Sequence, residues 1–316
     1  FDIPLPDLTD CNFATREPNL DWHYVAARGG PARAFDRMMP AFFEALTDEE
    51  ITRILNYIRT FCGDDAWPRG EFNLPRALVT TKAYPEDEVV LSSSVQVAGR
   101  DRIENELIFE KRFGARNQFE LILPFGWNEK VIDDNQDTEW RTNLGDVGLG
   151  LKRVMYHNLD TGMIISLGGE AFFPTGNENN GFGSETAFFE TYVSYGQLLP
   201  EGFFFQFQGG AGFPADSQKG SDEVFARGVF GKTFVLGKYG YQLSPMVEVL
   251  GSREMHNHAN THWDLAPQVQ IPLNRRQHVR LCVGAQIPMN YTRNRDTVYS
   301  VYLLWDWFDG GFFQGW

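Results

Sequence analysis

Three histidines in one short stretch, His256, His258 and His262, are the densest set of metal-ligand side chains in the chain, with Glu254 beside them. Imidazoles suit Zn, Cu or Ni. The spacing matches no closed zinc pattern, so a His-rich polar loop stands beside the metal reading. Two other stretches are rich in oxygen ligands. Asp133, Asp134, Asp137 and Glu139 fall within 128–143, and Asn177, Glu178, Asn179 and Asn180 within 176–184. Such groups suit Ca²⁺. The twelve-residue spacing of an EF-hand is absent, which leaves a solvated acidic surface as the simpler reading. Glu104 and Glu106 form a carboxylate pair, useful for acid–base work only in a cleft that holds a substrate. There is no Gly-x-Ser-x-Gly, no His-Glu-x-x-His and no phosphate loop. No catalytic residue is assigned and no enzyme is expected.

The elements that must position these groups show a period of two from Val89 onward. Twelve segments alternate apolar and polar residues: 89–98, 102–113, 118–127, 144–156, 163–173, 186–199, 203–213, 223–235, 240–251, 263–272, 279–289 and 297–308. Most are near the ~9–11 residues that a tilted strand needs to cross a bilayer. From the third segment on, the connections alternate between long and short. The long ones are 128–143, 174–185, 214–222, 252–262 and 290–296, and the short ones include 114–117, 157–162 and 200–202. Long loops on one side and tight turns on the other is the layout of an outer-membrane barrel. The expected fold is all-β: a transmembrane, antiparallel, up-and-down β-barrel of about twelve strands, spanning 89–316.

The alternation also sorts the faces. Phe119, Leu121, Leu123 and Phe125 oppose Gln118, Glu120 and Ile122, and Tyr299, Val301, Leu303 and Trp305 oppose Ser300, Tyr302 and Asp306. The apolar set should meet lipid and the polar set the lumen. The charged residues expected in the lumen are Glu104, Glu106, Glu110, Arg112, Glu120, Asp146, Lys152, Glu170, Glu190, Arg227, Glu248, Asp264, Arg280 and Asp306. They line either a narrow acidic pore or a packed ion-pair network that shuts it; buried charges must be paired or wet.

Composition agrees with this division. The 316 residues include 27 Phe and carry a formal charge of -14, which argues against nucleic acid as a partner. No run approaches the ~18 apolar residues of a membrane helix. Outer-membrane lipid is the expected surroundings of the barrel. The chain opens on Phe1 and reads as a processed or incomplete mature protein.

Residues 1–65 follow different rules. Leu20–Ala27 reads as a short helix ended by Gly29-Gly30. Thr47-Asp48-Glu49-Glu50 is a capping box, after which Ile51, Ile54, Leu55 and Ile58 repeat at helical spacing. Residues 66–88, with Pro68, Pro75 and Pro85, read as an extended linker. Cys11 and Cys62 flank the helical region and are a plausible disulfide for an oxidising compartment, while Cys282 lies in a strand.

The stretch Met38-Met39-Pro40-Ala41-Phe42, followed by Ala45-Leu46-Thr47-Asp48-Glu49-Glu50-Ile51, resembles the C-terminal half of a class I c-type cytochrome domain. The junction Trp67-Pro68-Arg69-Gly70-Glu71-Phe72-Asn73-Leu74-Pro75-Arg76 resembles that of bacterial proteins fusing such a domain to an outer-membrane barrel. The resemblance implies a periplasmic N-terminal segment and a haem c with Met39, or else Met38, as axial ligand. The chain departs from the family in lacking Cys-x-x-Cys-His. Without an upstream haem peptide the two methionines are ordinary core residues.

Two functions are therefore expected. The first is an outer-membrane component of an electron-transfer or cell-surface assembly, with a periplasmic redox partner or a larger membrane complex. The alternative is a porin or substrate-specific channel with an N-terminal plug or tether.

Overall fold

The computed structural model describes residues 6–96, 102–131, 138–293 and 295–306. Alternating residues put two chemically different faces on each strand, and closing the sheet hides the edges. The chain obeys both demands. Fourteen strand segments form one antiparallel sheet that closes on itself. They are β1 (Asp87–Gln96), β2 (Arg102–Phe113), β3 (Asn117–Val131), β4 (Thr138–Leu144), β5 (Val147–Asn158), β6 (Met163–Phe173) and β7 (Phe188–Leu198). Then come β8 (Phe203–Pro214), β9 (Glu223–Lys232), β10 (Phe234–Leu236), β11 (Tyr241–Glu254), β12 (His262–Pro272), β13 (Val279–Pro288) and β14 (Val298–Asp306). Both β4 and β5 pair with β3, and both β9 and β10 with β11, so each pair is one interrupted strand. The barrel therefore has twelve strands, closed where β1 meets β14.

Part of the expected long loop 128–143 is not loop. There β3 continues to Val131 and pairs with β4, placing Arg141 opposite Asn128 and Thr142 opposite Trp127. The hairpin outgrows the segment read from its apolar residues because its far end is polar on both faces and carries no period-two signal.

The outer face is apolar: Leu91, Leu107, Val193, Val249, Val301 and Leu303 are exposed there. The inward residues of the same strands are covered. Gln118, Glu120 and Ile122 are buried on β3, and Tyr302, Leu304 and Asp306 on β14. An exposed apolar wall around a polar interior is the arrangement lipid demands of a barrel.

Residues 11–59 form a helical cap. Asp10 caps α1 (Cys11–Ala14), Pro18 precedes α2 (Asn19–Arg28), and Thr47 and Glu50 cap α3 (Asp48–Arg59) reciprocally. The Thr47 backbone N–H, then its hydroxyl, hold the Glu50 carboxyl below the usual carboxylate range. Ala27, Ile51 and Leu55 join α2 to α3, with Trp22 and Leu46 packed alongside. Cys11 and Cys62 are joined in a disulfide. Arg59 is buried at the centre. It stacks 3.7 Å over Trp22 and donates to the carbonyls of Ala14 and Glu17. That burial lowers its pKa to about 10.

The cap sits on the end of the barrel that carries the short turns. Arg16 pairs with Asp87 at 2.5 Å and Glu17 with His278 at 3.0 Å. Arg33 donates to the carbonyl of Tyr239, and Arg276 lies 4.8 Å over Phe35. Gly240, at φ +64°, abuts the Tyr24 ring so closely that a β-carbon would overlap it. Any larger residue there would have to displace the Tyr24 ring.

Candidate functional site

The interior of the barrel is occupied by the chain itself. Residues 72–86, within the stretch read as a linker, form an extended loop inside the wall. Phe72, Leu74, Ala77, Ala83 and Tyr84 are all buried, and Phe72 and Tyr84 are covered almost completely. The loop leaves the cap beside Arg116, which donates to the carbonyl of Ala66 at 3.0 Å. It returns beside the same turn, where Asp87 accepts from Lys111 at 2.6 Å. Its crest is Leu78–Thr80, bonded to the middle of β11.

An extended peptide taken out of water must find partners for each N–H and C=O. Neighbouring strands supply such partners in sheets. Here the side chains of the lumen wall do so. Gln206 donates to Pro75 O at 2.9 Å, Lys152 to Lys82 O at 2.8 Å, and Tyr302 and Ser166 to the carbonyls of Arg76 and Ala83. Gln268 accepts from Leu78 N at 2.9 Å, Gln208 from Thr81 N at 3.2 Å and Gln118 from Glu86 N at 2.7 Å. The Glu248 carboxylate gathers the N–H groups of Leu78, Val79 and Thr80, at 2.7 Å for Thr80. Successive N–H groups converging on one anion form a backbone nest.

Charges on the loop are paired with the wall and with one another. Arg76 spans Glu88 at 2.7 Å and Glu110 at 2.8 Å. Lys82 holds Glu86 at 2.5 Å and Glu88 at 3.4 Å. Arg112 donates to the Tyr84 hydroxyl at 3.1 Å. Apolar residues fill the remaining space: Leu78 packs against Val90, Ile108 and Cys282, and Leu74 and Ala77 against Phe204, Val229 and Met246. Cys282 is thus a small buried core residue whose thiol lies 3.6 Å from Gln268.

The charged residues assigned to the lumen fall into four placements. Glu110, Arg112, Glu120, Lys152, Glu248 and Asp306 are buried in its lower and middle parts, with Arg280 partly buried near Asp306 at 3.8 Å. Glu104 and Glu106 are exposed, and Glu170, Glu190 and Arg227 are half-buried, in the part the loop does not reach. Asp264 is tied to Arg295 at 2.5 Å and to Gln286 at 2.9 Å. Asp146 has a different role: it sits at the break between β4 and β5 and accepts from the N–H groups of Gly176 and Ser184, fastening loop 174–187.

The histidines are not drawn together. His256 pairs with Glu254 at 2.9 Å, His258 occupies a positive-φ turn position, and His262 starts β12 with its ring 5.6 Å from Tyr291. Among the described residues no three His, Cys, Asp or Glu side chains converge as metal ligands. Of the oxygen-rich stretches, Asp133, Asp134 and Asp137 lie outside the described residues. Glu139 pairs with Arg141 at 2.7 Å, and Asn180 bonds Asn143 at 3.0 Å, closing the rim.

Met38 and Met39 sit on an exposed stretch of the cap, 51% and 38% exposed, with the Met39 carbonyl bonded to Gly30 N at 3.0 Å. The cap's own cysteines are joined to each other, and the third is buried in the barrel. The residues present therefore do not furnish covalent haem attachment, and no step is assigned to a haem.

The lumen-bound loop escaped the sequence reading. The usable signal was the glutamines at inward positions, Gln118, Gln206, Gln208 and Gln268, which offer neutral donors and acceptors where a wet pore would need neither.

No family model and no curated protein sequence matches the chain. Solved structures do. An outer membrane channel from Pseudomonas putida F1 superposes with a TM-score of 0.51 at 12% identity, over 73% of this chain and 99% of that one. The chain folds as an outer-membrane β-barrel. The KdgM porin matches at 0.45 and 12% identity over 69% and 98%, and the NanC porin at 0.46 and 10% over 69% and 99%. These matches cover nearly all of each porin but leave more than a quarter of this chain without counterpart.

Proposed function

We propose that the protein is a channel of the bacterial outer membrane, closed at rest by its own residues 72–86, with the cap and short turns in the periplasm. The observation that carries this is the way the loop is held. Its backbone is bound by wall side chains through exchangeable hydrogen bonds, and its crest has water-accessible lumen beyond it: Val79 is 37% exposed inside the closed barrel. A chain filling a merely structural core would bury that residue. Single-channel recording in planar bilayers tests the reading. The protein as it stands should conduct rarely, and a variant with residues 75–82 replaced by a Gly/Ser stretch should stay open. A variant that keeps its barrel and never conducts would sink it.

A second reading, a component of a larger redox or surface assembly, is favoured by the apolar surface of the cap. Ile54 is 46% exposed, Tyr57 66% and Phe61 42%, with the Tyr57 and Phe61 rings 5.2 Å apart, and contiguous apolar patches mark partner sites. This reading expects a stable complex after mild detergent extraction. Migration as a lone monomer argues against it.

A further inference from the structure

The wall grips the internal loop mainly by its backbone. Carbonyls of Pro75, Arg76, Lys82 and Ala83 accept from Gln206, Tyr302, Lys152 and Ser166. The N–H groups of Leu78, Thr80 and Thr81 donate to Gln268, Glu248 and Gln208. Every polypeptide carries these groups, whatever its side chains. The wall is thus dressed to receive a main chain in general and not this sequence in particular.

Two side chains are read as well. Arg76 and Lys82, six positions apart, both reach Glu88, and Arg76 also reaches Glu110. A buried carboxylate must keep a partner. Whatever takes the place of the loop must therefore bring cations to these two points. A neutral or acidic oligosaccharide brings none.

The loop also leaves part of the wall unused. Ser166, Ser194 and Gln208 stand opposite one another in register across β6, β7 and β8, which sets them on one face. Ser166 takes the Ala83 carbonyl and Gln208 the Thr81 N–H. Between them Ser194 is 0% exposed, and its Oγ has no hydrogen-bond partner among the described residues. Gln208 is as deeply buried. Its Oε1 accepts from Thr81 and Arg227, while its Nε2 has no partner. A donor buried without an acceptor is costly, and native cores rarely keep one. Residues 72–86 match the wall incompletely where they cross β7 and β8.

We propose that the lumen is a binding site for an extended, cationic peptide, and that residues 72–86 occupy it as a built-in stand-in. The proposal rests on the channel reading for the way in, and names what the lumen takes. The guest lays its amides along the loop's path. It sets two basic residues at the spacing of Arg76 and Lys82, and an apolar one where Leu78 meets Val90 and Ile108. Its backbone also reaches Ser194 Oγ and Gln208 Nε2. The loop competes from a tether, at an effective concentration on the order of mM, so a dilute guest enters only when the loop withdraws.

Synthetic peptides test this on the full chain with residues 75–82 replaced by Gly/Ser. A peptide of residues 74–84 should block the single-channel current reversibly. Its fluorescent form should bind the detergent-solubilised barrel. Methylating the amides at the positions of Val79, Thr80 and Thr81 removes the N–H groups that Glu248 and Gln208 accept. Block and binding should then weaken roughly ten- to a hundredfold. Glutamine at the positions of Arg76 and Lys82 should weaken both about tenfold or more. A peptide of otherwise unrelated sequence that keeps proline, arginine, leucine and lysine at the positions of Pro75, Arg76, Leu78 and Lys82 should match the parent within severalfold.

A current that no peptide blocks, or that a neutral maltooligosaccharide blocks instead, overturns the peptide site and leaves the channel. Block by the parent sequence alone overturns the site too, since the wall then fits only its own loop. Equal binding of methylated and parent peptides has the same consequence. Peptide binding to a folded barrel that never conducts overturns the channel reading and leaves the site. Where the Gly/Ser variant folds poorly, the unaltered chain answers. The unrelated-sequence peptide, in excess over the tethered loop, should quicken amide exchange at residues 78–82 severalfold, and unchanged exchange overturns the site.

Discussion

Replacing Glu248 with leucine will release the crest of the internal loop while leaving the barrel standing. The carboxylate is fully buried and accepts three successive backbone N–H groups, from Leu78, Val79 and Thr80, as well as the Gln268 amide at 2.6 Å. Leu78 keeps a second acceptor in Gln268. Thr80 has none in reserve and is itself buried, so the substitution leaves its N–H stranded. A buried donor that loses its acceptor costs about 1–3 kcal/mol, and the partly covered Val79 adds less. The new side chain would also bring apolar volume against polar backbone. Amide exchange at residues 78–82 should then quicken by roughly ten- to a hundredfold. The strands should keep their protection, because each is held by its two neighbours and not by the loop. Glu248→Gln retains one acceptor oxygen and should fall between. Hydrogen exchange read by mass spectrometry decides the matter: equal protection of residues 78–82 in Glu248→Leu and the parent would show that the nest does not hold the crest.

The larger effect belongs to Arg76. Its guanidinium bridges Glu88 and Glu110, both 1% exposed by side chain, and no other residue of the loop makes a salt bridge to Glu110 among the described residues. Removing one partner of a buried ion group costs about 3–5 kcal/mol, because the other charge stays behind without compensation. Arg76→Met strands Glu110 and leaves Glu88 only Lys82 at 3.4 Å, so the loss should sit near the top of that range. The same logic predicts rescue. Glu88→Gln and Glu110→Gln, added to Arg76→Met, remove the stranded charges, and neutral replacement of buried ion groups is often tolerated. Guanidinium unfolding of the barrel in lipid vesicles should show a large drop for Arg76→Met and recovery of most of it in the triple variant. A triple variant no more stable than the single one would mean that Arg76 acts through packing and not charge.

The strands were legible because a barrel wall imposes the simplest pattern a chain can carry. Leu91, Leu107 and Val301 alternate with Ser92, Ile108 and Tyr302, and turn residues punctuate them. The capping box at Thr47 and Glu50 was equally plain, since its partners are three residues apart. The internal loop was not legible, and the reason is physical. Residues 72–86 make no ladder of their own, so they show no period. Their partners, such as Gln268 and Glu248, lie far away along the chain, and each alone looks like any polar lumen residue. Pro75 and Pro85 signal an extended chain correctly but do not say whether it lies in water or inside a wall. The lumen carboxylates were half legible. Glu110, Glu120, Glu170, Glu190 and Asp306 could be assigned to the lumen face, while Glu88, which lies opposite Glu110, falls one residue before the first segment in which the alternation shows. Their alignment depends on register, which alternation leaves open.

Ala66 and Asp87 lie by the same turn, that between β2 and β3, so the internal loop goes in and comes out by one mouth. Topologically it is a bight, not a thread. Nothing has to pass through the barrel for it to leave, and no strand pair has to part. Its trailing end is covalently continuous with β1, one side of the seam with β14, while its leading end is fixed to the cap. A pull on the cap would draw it out as a slipped loop draws from a ring, one wall contact after another. The mechanical work would then be spread over many weak bonds instead of being met all at once.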